Sequence, residues 1–183
     1  CALPISRGLI EAADVLLAQL EVPTDAVARA VSIARAAGRT VILNPAPARP
    51  LPADLLAAVD VLTPNETEAE ILAGGPDVPE ALCGRLLAAG CRSVVLTRGA
   101  SGAIVASRGV VAAIPPFPVT AVDTVAAGDV FSGALGVALA EGADLPAAAR
   151  FAAAAAAISV TREGAQASAP SRDEIERFLA GGD

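Results

Sequence analysis

The sequence lacks most of the side chains that enzymes use for acid–base and nucleophilic chemistry. Its 183 residues contain no histidine, lysine, tyrosine, tryptophan or methionine, and all 13 basic residues are arginine. These absences exclude a Ser-His-Asp triad, zinc bound by histidine, Schiff-base chemistry and any phosphate loop that needs lysine. Aspartate, glutamate, cysteine, serine and threonine remain. They suffice for phosphoryl transfer, because positioning and electrostatic stabilisation carry most of that reaction.

Aromatic residues and clusters of positive charge are also scarce. Aromatics make up 2% of the chain, the arginines are scattered, and the net charge is −7. Without a basic stripe or stacking aromatics, we expect no nucleic-acid partner. No charge-free apolar run reaches the roughly 18 residues that a membrane span needs, and no signal peptide is visible. We therefore expect no membrane partner either.

The three cysteines, Cys1, Cys83 and Cys91, are odd in number and lack the spacing of metal ligands. We interpret Cys83 and Cys91 as small buried hydrophobic residues. This use of cysteine predicts a reducing, cytoplasmic location. The chain begins at Cys1 rather than at methionine, so we expect it to be part of a longer protein.

Short apolar strands alternate with helical patterns, which predicts βαβ units and a mostly parallel sheet. The pattern indicates one α/β domain over residues 1–183. Strands are predicted at 15–20, 40–43, 61–63, 93–97, 102–107 and 109–114. Helices are predicted at 24–37, with Thr24 as N-cap, and at 53–59, 65–72, 79–89, 127–141, 146–160 and 173–179.

The segment 121–133, AVDTVAAGDVFSG, carries the most chemical information. Small side chains at Ala126, Ala127 and Gly128 leave backbone N–H groups uncovered where a helix begins, and such groups form a ready anion site. Asp129 follows directly. From the spacing alone its carboxylate could stabilise the helix dipole, which is the commoner role, or act as general base for an incoming hydroxyl.

This segment, extended to AVDTVAAGDVFSGAL, resembles the second signature of the ribokinase/PfkB carbohydrate kinase family, commonly D-T-x-G-A-G-D-x-F-x-G. Ala126 stands where the common form has glycine, a departure that ribokinase-like members share. The resemblance implies that Asp129 is the catalytic base. It also implies that the N–H groups from Ala126 to Asp129 form an anion hole for the transferring phosphoryl group.

Three further segments resemble the family in the same order. NPAPARPLP (44–52) is similar to a family turn, and TPNETEAE (63–70) to the N-x-x-E motif, which implies that Asn65 lies near the ATP phosphates and Glu68 near Mg²⁺. TRGASG (97–102) is similar to a glycine-bearing ATP loop. Each alone is compatible with a plain turn or cap, but four in register are specific. The implied ATP contacts are Asn65, Thr97, Arg98, Gly99, Ala100, Ser101, Gly102, Gly128 and Asp129.

Two more sites follow from the resemblance. Glu21, at the end of the first predicted strand, is implied to bind sugar hydroxyls together with Asp129; the alternative is a solvent-exposed strand-end glutamate. SVTREGAQAS (159–168) is similar to the family's K⁺ loop. The implied K⁺ ligands are the carbonyls of Asp123, Val125, Ser159, Arg162 and Gly164, with the Ser168 hydroxyl.

The resemblance implies a Rossmann-like three-layer α/β sandwich whose N-terminal part and β lid lie outside this chain. It implies ATP-dependent phosphorylation of the primary hydroxyl of D-ribose to ribose 5-phosphate, in a homodimeric parent joined through the lid. Alternatives are a kinase for fructose, a keto-deoxy sugar acid or a nucleoside, or a truncated, non-catalytic nucleotide-binding module. Ala153 replaces a polar adenine contact of some relatives, which leaves base selectivity open.

Overall fold

The computed structural model describes residues 3–181, with side chains from residue 6 onward, so Cys1 lies outside the described part. The residues form two compact units. The first runs up to Arg98 and includes residues 104–112, and the second consists of residues 99–103 and those from 113 onward.

Six strands form one sheet in the order β1-β2-β3-β4-β5-β6, and β1 to β4 are parallel. The connections from β4 to β5 and from β5 to β6 are too short for a parallel crossover, so these pairs run antiparallel. The strands are β1 (Val15–Ala18), β2 (Thr40–Leu43), β3 (Val61–Leu62), β4 (Ser93–Thr97), β5 (Ala103–Ser107) and β6 (Val110–Ile114).

Five helices of the first unit surround the parallel strands: α1 (Leu3–Ala12), α2 (Thr24–Ala36), α3 (Ala53–Ala57), α4 (Glu66–Leu72) and α5 (Pro79–Ala88). Strands β2 and β4 are fully buried at their centres, as expected for parallel strands covered by helices. The core is aliphatic, because aromatics are nearly absent. Its large side chains, each at most 2% exposed, include Leu20, Val31, Val41, Leu43, Leu62, Leu82, Leu86, Val94 and Leu96.

Asp60 ties the amino-terminal ends of the central strands together. Its carboxylate accepts hydrogen bonds from Arg35 Nη1 at 2.9 and 3.1 Å, from Arg92 Nη1 at 3.0 Å and from the Val41 N–H at 2.9 Å. This edge of the sheet is opposite to the one at which the predicted site residues of the first unit lie.

The second unit is built on α6 (Ala127–Ala140), α7 (Leu145–Ser159) and α8 (Arg172–Leu179), with 3₁₀ turns at Gly99–Ser101 and Gln166–Ser168. Helices α6 and α7 pack against each other through small side chains, including fully buried Ala148, Ala152 and Ala155. Arg172 bonds to the carboxylate of Glu141 at the end of α6, and its guanidinium lies 5.4 Å from the centre of the Phe151 ring. One side chain thus anchors α8 to both other helices.

The predicted α/β class with a mostly parallel sheet is confirmed, and so is the burial of two cysteines. Cys83 and Cys91 are 0% and 3% exposed, and burial raises the pKa of each thiol to about 11. The predicted Thr24 cap is wrong: Pro23 holds the N-cap position of α2, and no side chain caps that helix. Proline supplies the extended entry through its restricted φ, here −54°.

Other predicted boundaries shift by a few residues, and α1 was not predicted. The first strand ends at Ala18 rather than at residue 20, because the Leu20 N–H turns to the carbonyl of Ala46 at 2.9 Å. Among the described residues, no helix is both long and apolar enough to cross a membrane.

Candidate active site

The carboxyl ends of the parallel strands carry every predicted site residue of the first unit. Glu21 follows β1, the 44–52 turn follows β2, Asn65 follows β3, and Thr97 ends β4. An isolated parallel bridge joins Asn65 to Thr97. Ligands of open α/β sheets bind outside this edge. The structure therefore brings residues that are distant in sequence to the edge where binding is expected.

Asn65 and Glu68 form a reciprocal capping box at the start of α4. Asn65 Oδ1 accepts the Glu68 N–H at 2.8 Å, and Glu68 Oε2 accepts the Asn65 N–H at 2.8 Å. Two N–H groups that a helix start leaves without partners are thereby satisfied. The N-x-x-E motif thus has a structural role that explains both residues without any ligand.

The same pair also fits a magnesium site of the kind that relies on its substrate. Glu68 Oε1 takes no part in the cap, and Asn65 is exposed. The described residues contain no group of three or more His, Cys, Asp or Glu side chains that could bind a metal. Mg²⁺ is commonly bound by one or two carboxylates plus phosphates and water. The donor set therefore fits Mg²⁺ that arrives with a nucleotide.

Thr97 and Arg98 occupy the end of β4. The Thr97 N–H donates to the Pro64 carbonyl at 2.9 Å, which fixes the backbone beside the capping box. Arg98 Nε lies 3.4 Å from Glu66 Oε1 in the first turn of α4. Half-exposed ion pairs of this kind contribute little to stability. Little stability would therefore be lost if the Arg98 guanidinium left Glu66.

The glycines of the TRGASG loop that belong to the second unit are Gly99 and Gly102, with φ of +52° and +82°. A Cβ atom at Gly102 would lie 2.2 Å from the Ile114 carbonyl oxygen and 2.9 Å from Pro116 N. No other residue fits this position without moving backbone. Ala100 and Ser101 lie between the two glycines in the 3₁₀ turn and are exposed.

Helix α6 begins without a side-chain cap. Ala126 holds the N-cap position, and it has no polar atom in its side chain with which to cap the helix. The Ala127 N–H donates to Thr124 O at 3.2 Å, while first-turn N–H groups in general have no intrahelical acceptor. A Cβ atom built at Gly128 would meet no heavy atom within 4 Å. The first turn therefore presents an open surface, and the exposed Asp129 lies on it.

Asp129 and Ala126 line a cleft of about 640 Å³ within the second unit. Most of the walls are apolar and come from α6, α7, the 165–170 segment and α8. They include Val130, Gly133, Ala134, Val137, Phe151, Ala155, Pro170 and Ile175. The carboxylate-bearing residue predicted as base thus belongs to a concave surface next to the uncapped helix start.

Asp123 holds the loop before α6 in place. Its Oδ1 accepts the Val125 N–H at 3.0 Å, and its Oδ2 accepts the Gly164 N–H at 3.0 Å. These two backbone hydrogen bonds hold the pKa of Asp123 below its usual value of 3.8. The Val122 and Asp123 N–H groups both donate to the Val160 carbonyl, at 2.7 and 3.1 Å. The loop before α6 is therefore joined to the loop after α7.

These contacts join the two segments that carry the predicted K⁺ ligands. The Asp123 side chain accepts a hydrogen bond from the Gly164 N–H, and the Ser159 carbonyl accepts the Arg162 N–H at 3.1 Å. Ser168, which is 2% exposed, donates its hydroxyl proton to the Ala165 carbonyl at 2.8 Å, so its oxygen lone pairs face elsewhere. A site made of neutral oxygens is compatible with a large, weakly hydrated cation. The donor set fits potassium.

Sequence reasoning missed Arg49. Its Nη2 donates to the Leu20 carbonyl and, at 3.0 Å, to the Val22 carbonyl. These carbonyls flank the predicted sugar contact Glu21. An arginine that binds backbone oxygens leaves no trace in residue spacing, so only its position within the 44–52 turn could have drawn attention to it.

Comparison with known protein families agrees with this geometry. The family model described as "pfkB family carbohydrate kinase" matches residues 5–172. The chain belongs to this family, as its four motifs predicted.

Within the family, the chain is similar to ribokinases. It is 45% identical over 178 residues to the ribokinase of Haemophilus influenzae, covering 95% of this chain and 58% of that protein. With Bacillus subtilis ribokinase it shares 42% identity over 171 residues, covering 93% of this chain and 57% of the relative.

Solved ribokinase structures share the fold. The Thermotoga maritima ribokinase superposes with a TM-score of 0.89 at 39% identity, covering 95% of this chain and 59% of that structure. Arabidopsis thaliana ribokinase complexed with ribose and ATP superposes with a TM-score of 0.90 at 31% identity, covering 96% and 58%. The predicted ribokinase-like fold is thus confirmed, and this chain spans under three fifths of the length of these relatives.

Proposed function

We propose that this chain is the nucleotide-binding and catalytic part of an ATP-dependent kinase that phosphorylates the primary hydroxyl of D-ribose. The observation that carries the proposal is the position of Asp129: an exposed carboxylate in the first turn of an uncapped helix, lining a cleft. The ribokinase relatives supply the reaction class and the choice of sugar. Residues 1–183 then belong to one kinase domain, and we expect it to act in the cytoplasm.

In this proposal Asp129 accepts the proton of the sugar's primary hydroxyl as its oxygen attacks the γ-phosphorus of ATP. The bond between the γ-phosphorus and the β–γ bridging oxygen breaks, and ADP leaves. The N–H groups at Ala126, Ala127, Gly128 and Asp129 donate to the transferring phosphoryl oxygens, where negative charge is spread in the transition state. The Ala127 N–H exchanges its bond to Thr124 for this contact.

ATP is contacted from two places along the chain. In the first unit, Asn65, Thr97 and Arg98 bind its phosphates at the carboxyl edge of the sheet. In the second unit, the backbone of Gly99, Ala100, Ser101 and Gly102 and the start of α6 contribute N–H groups. Glu21 accepts hydrogen bonds from the sugar hydroxyls, since a carboxylate can accept two of them.

Two cations accompany the proposal. Glu68 and Asn65 would hold Mg²⁺, which neutralises charge on the phosphates when bound. The carbonyls of Asp123, Val125, Ser159, Arg162 and Gly164, together with the Ser168 hydroxyl, would hold K⁺ beside the start of α6.

The test is Asp129→Asn in the longest natural protein that contains these residues, with ribose-dependent ADP release as the assay. Loss of a positioned base is expected to lower kcat by about 10²–10⁴-fold, while Mg-ATP affinity by calorimetry is retained. Asp173→Asn is the matched control, because Asp173 is also an exposed first-turn aspartate, in α8. Near-normal turnover in Asp129→Asn, or an equal loss in the control, would contradict the base assignment.

A second candidate is a nucleotide-binding module that does not turn over by itself, favoured by the partial coverage of the relatives. Calorimetry of this chain with Mg-ATP, beside the ribose-dependent assay, separates the two. Binding without turnover supports the module. A panel of ribose, fructose, a keto-deoxy sugar acid and a nucleoside tests the choice of sugar, and a clear preference for another sugar would overturn ribose.

A further inference from the structure

The segment that carries Glu21 has little regular structure of its own. Strand β1 ends at Ala18, α2 begins at Thr24, and the residues from Leu20 to Val22 form a bend. An exposed glutamate on such a bend would ordinarily sample many positions, because neither its backbone nor its side chain is fixed by a sheet or helix.

Contacts from the 44–52 turn fix the bend on both sides of Glu21. The Leu20 N–H donates to the Ala46 carbonyl at 2.9 Å. Arg49 Nη2 donates to the Leu20 carbonyl, which precedes Glu21, and to the Val22 carbonyl, which follows it, at 3.0 Å. A single guanidinium nitrogen thus contacts the peptide group that enters Glu21 and the peptide group that follows Val22, one residue beyond Glu21.

Arg49 lowers the stability of the fold if its contacts serve structure alone. Its side chain is partly buried, and its Nε atom is buried without a hydrogen-bond partner among the described residues. Burying a donor of a charged group in this way costs stability, and such exceptions in a fold require an explanation. Its Nη2 contacts are to neutral carbonyls rather than to carboxylates, so Coulomb pairing does not supply that explanation.

We propose that Arg49 is a positioning residue that fixes Glu21 at the carboxyl edge of the sheet for binding of a polyol. This inference rests on the proposed function, since it assigns Arg49 a role through the sugar contact of that site. The arrangement does not use the Glu21 carboxylate, because Arg49 holds the neighbouring carbonyls and not the carboxylate itself. A functional group held by a rigid supporting shell binds more tightly than one on a mobile loop.

The first measurement uses this chain and needs no activity. Arg49→Met keeps the length and apolar stem of the side chain but removes its donors. Hydrogen–deuterium exchange of the 19–23 peptide is expected to become faster in Arg49→Met and to stay unchanged in Arg29→Met. Arg29 is an exposed arginine on α2, so it controls for lost charge. Unchanged exchange in Arg49→Met would overturn the proposal whatever the enzyme does.

The second measurement is a double-mutant cycle in the longest natural protein that contains these residues. Arg49→Met is expected to raise KM for ribose by up to about 100-fold, as small misplacements of a binding group can, with KM for ATP unchanged. In a Glu21→Gln background the same substitution is expected to change KM for ribose by less than about twofold, because contacts in one network are not additive. Arg49→Lys, which retains a donor, should restore part of the affinity.

The outcomes distinguish this inference from the proposed function. Equal factors with and without Glu21 would show that Arg49 acts independently, and would overturn the positioning role while the kinase activity stands. If Arg49→Met raised KM for ribose and KM for ATP by the same factor, Arg49 would be a structural residue only. The same conclusion would follow if Arg49→Met failed to fold and Arg49→Lys restored folding without restoring ribose affinity. Absence of any ribose-dependent ADP release in the unsubstituted protein would overturn the proposed function, and this role with it.

Discussion

Two helix starts in this chain are built in opposite ways. At α4, Asn65 and Glu68 satisfy each other's N–H groups in a closed capping box. At α6, a longer helix of 14 residues, the N-cap is Ala126 and no side chain caps the first turn. Helices α7 and α8 are capped by Asp144 and Ser171. Helix α6 is thus the helix of the second unit without a side-chain cap, although α2, α3 and α5 of the first unit also begin without one. An uncapped start leaves N–H groups that can bind an anion, which is the role we propose for the start of α6.

The glycines of the 97–102 loop and of the 121–133 segment also differ in what the fold requires of them. The backbone requires Gly102, because φ is +82° and a Cβ atom would overlap the Ile114 carbonyl oxygen. Nothing in the fold requires Gly128, which has open space around it and is not among the glycines with positive φ. Positions that the fold explains and positions that it leaves unexplained can therefore be separated by substitution.

The largest effect on stability is expected for Gly102→Ala. The added methyl group must displace backbone atoms and adopt a positive φ, so we expect the free energy of unfolding to fall by more than about 1 kcal/mol. Gly99→Ala is the control, since it shares the positive φ but has no atom within 4 Å of the new Cβ. Urea unfolding of both variants measures the difference. An equal loss in the two would show that the close approach to Ile114 contributes nothing.

Asn65→Ala is expected to lower the free energy of unfolding by about 0.5–2 kcal/mol, because it removes the α4 cap. Asn65→Asp keeps a capping oxygen, so we expect it to preserve thermal stability. The melting temperatures of both variants test this. If Asn65→Ala leaves the melting temperature unchanged, the capping box does not stabilise α4.

Gly128→Ala is expected to raise the free energy of unfolding by about 0.5–1 kcal/mol. Alanine loses less backbone entropy than glycine in a helix, and the site has room for its methyl group. Thermal unfolding without ligand measures the gain. Destabilisation would mean that the fold itself demands glycine at this position, and the contrast with Gly102 would disappear.

Helix α8 provides a smaller effect that depends on pH. The Ser171 N–H and the Arg162 guanidinium hold the pKa of Glu174 at about 2, below its ordinary value of 4.5. A lowered pKa means that the carboxylate contributes stability above about pH 4.5, and that this contribution is lost as pH falls through about 2. Glu174→Gln should therefore reduce the loss of unfolding free energy as pH falls from about 4.5 to about 2, measured by urea unfolding at a series of pH values. Glu176→Gln in the same helix is the control, and an equal reduction there would contradict the assignment.

Local sequence patterns predicted the helices and strands whose packing depends on their own residues. The bounds of β2 and β4 agree with the prediction, because a parallel strand buried on both faces is a continuous apolar run. Helix α1 was missed, since Pro4 and Gly8 obscure its periodicity. The end of β1 was placed too late, because the Leu20 N–H bonds to Ala46, far away in sequence.

The candidate site could be predicted as motifs but not as contacts. The spacing of Asn65 and Glu68 contained the capping box, because a polar N-cap followed three residues later by glutamate is its signature. The bond from Asp123 to the Gly164 N–H and the Arg49 contacts could not be predicted. They join a side chain to backbone atoms that no residue type identifies.

The central claim is that the open first turn of α6 receives a phosphate, and Gly128→Asp tests it most directly. A carboxylate there favours the helix dipole by about 0.3–1 kcal/mol, so the variant should be at least as stable as the unsubstituted chain. The same charge opposes a phosphate, so calorimetric Mg-ATP affinity should fall by more than about 10-fold, since juxtaposed like charges cost several kcal/mol. Gly128→Ala should bind far better than Gly128→Asp. Unchanged affinity in Gly128→Asp, or no Mg-ATP binding by the unsubstituted chain, would contradict the claim.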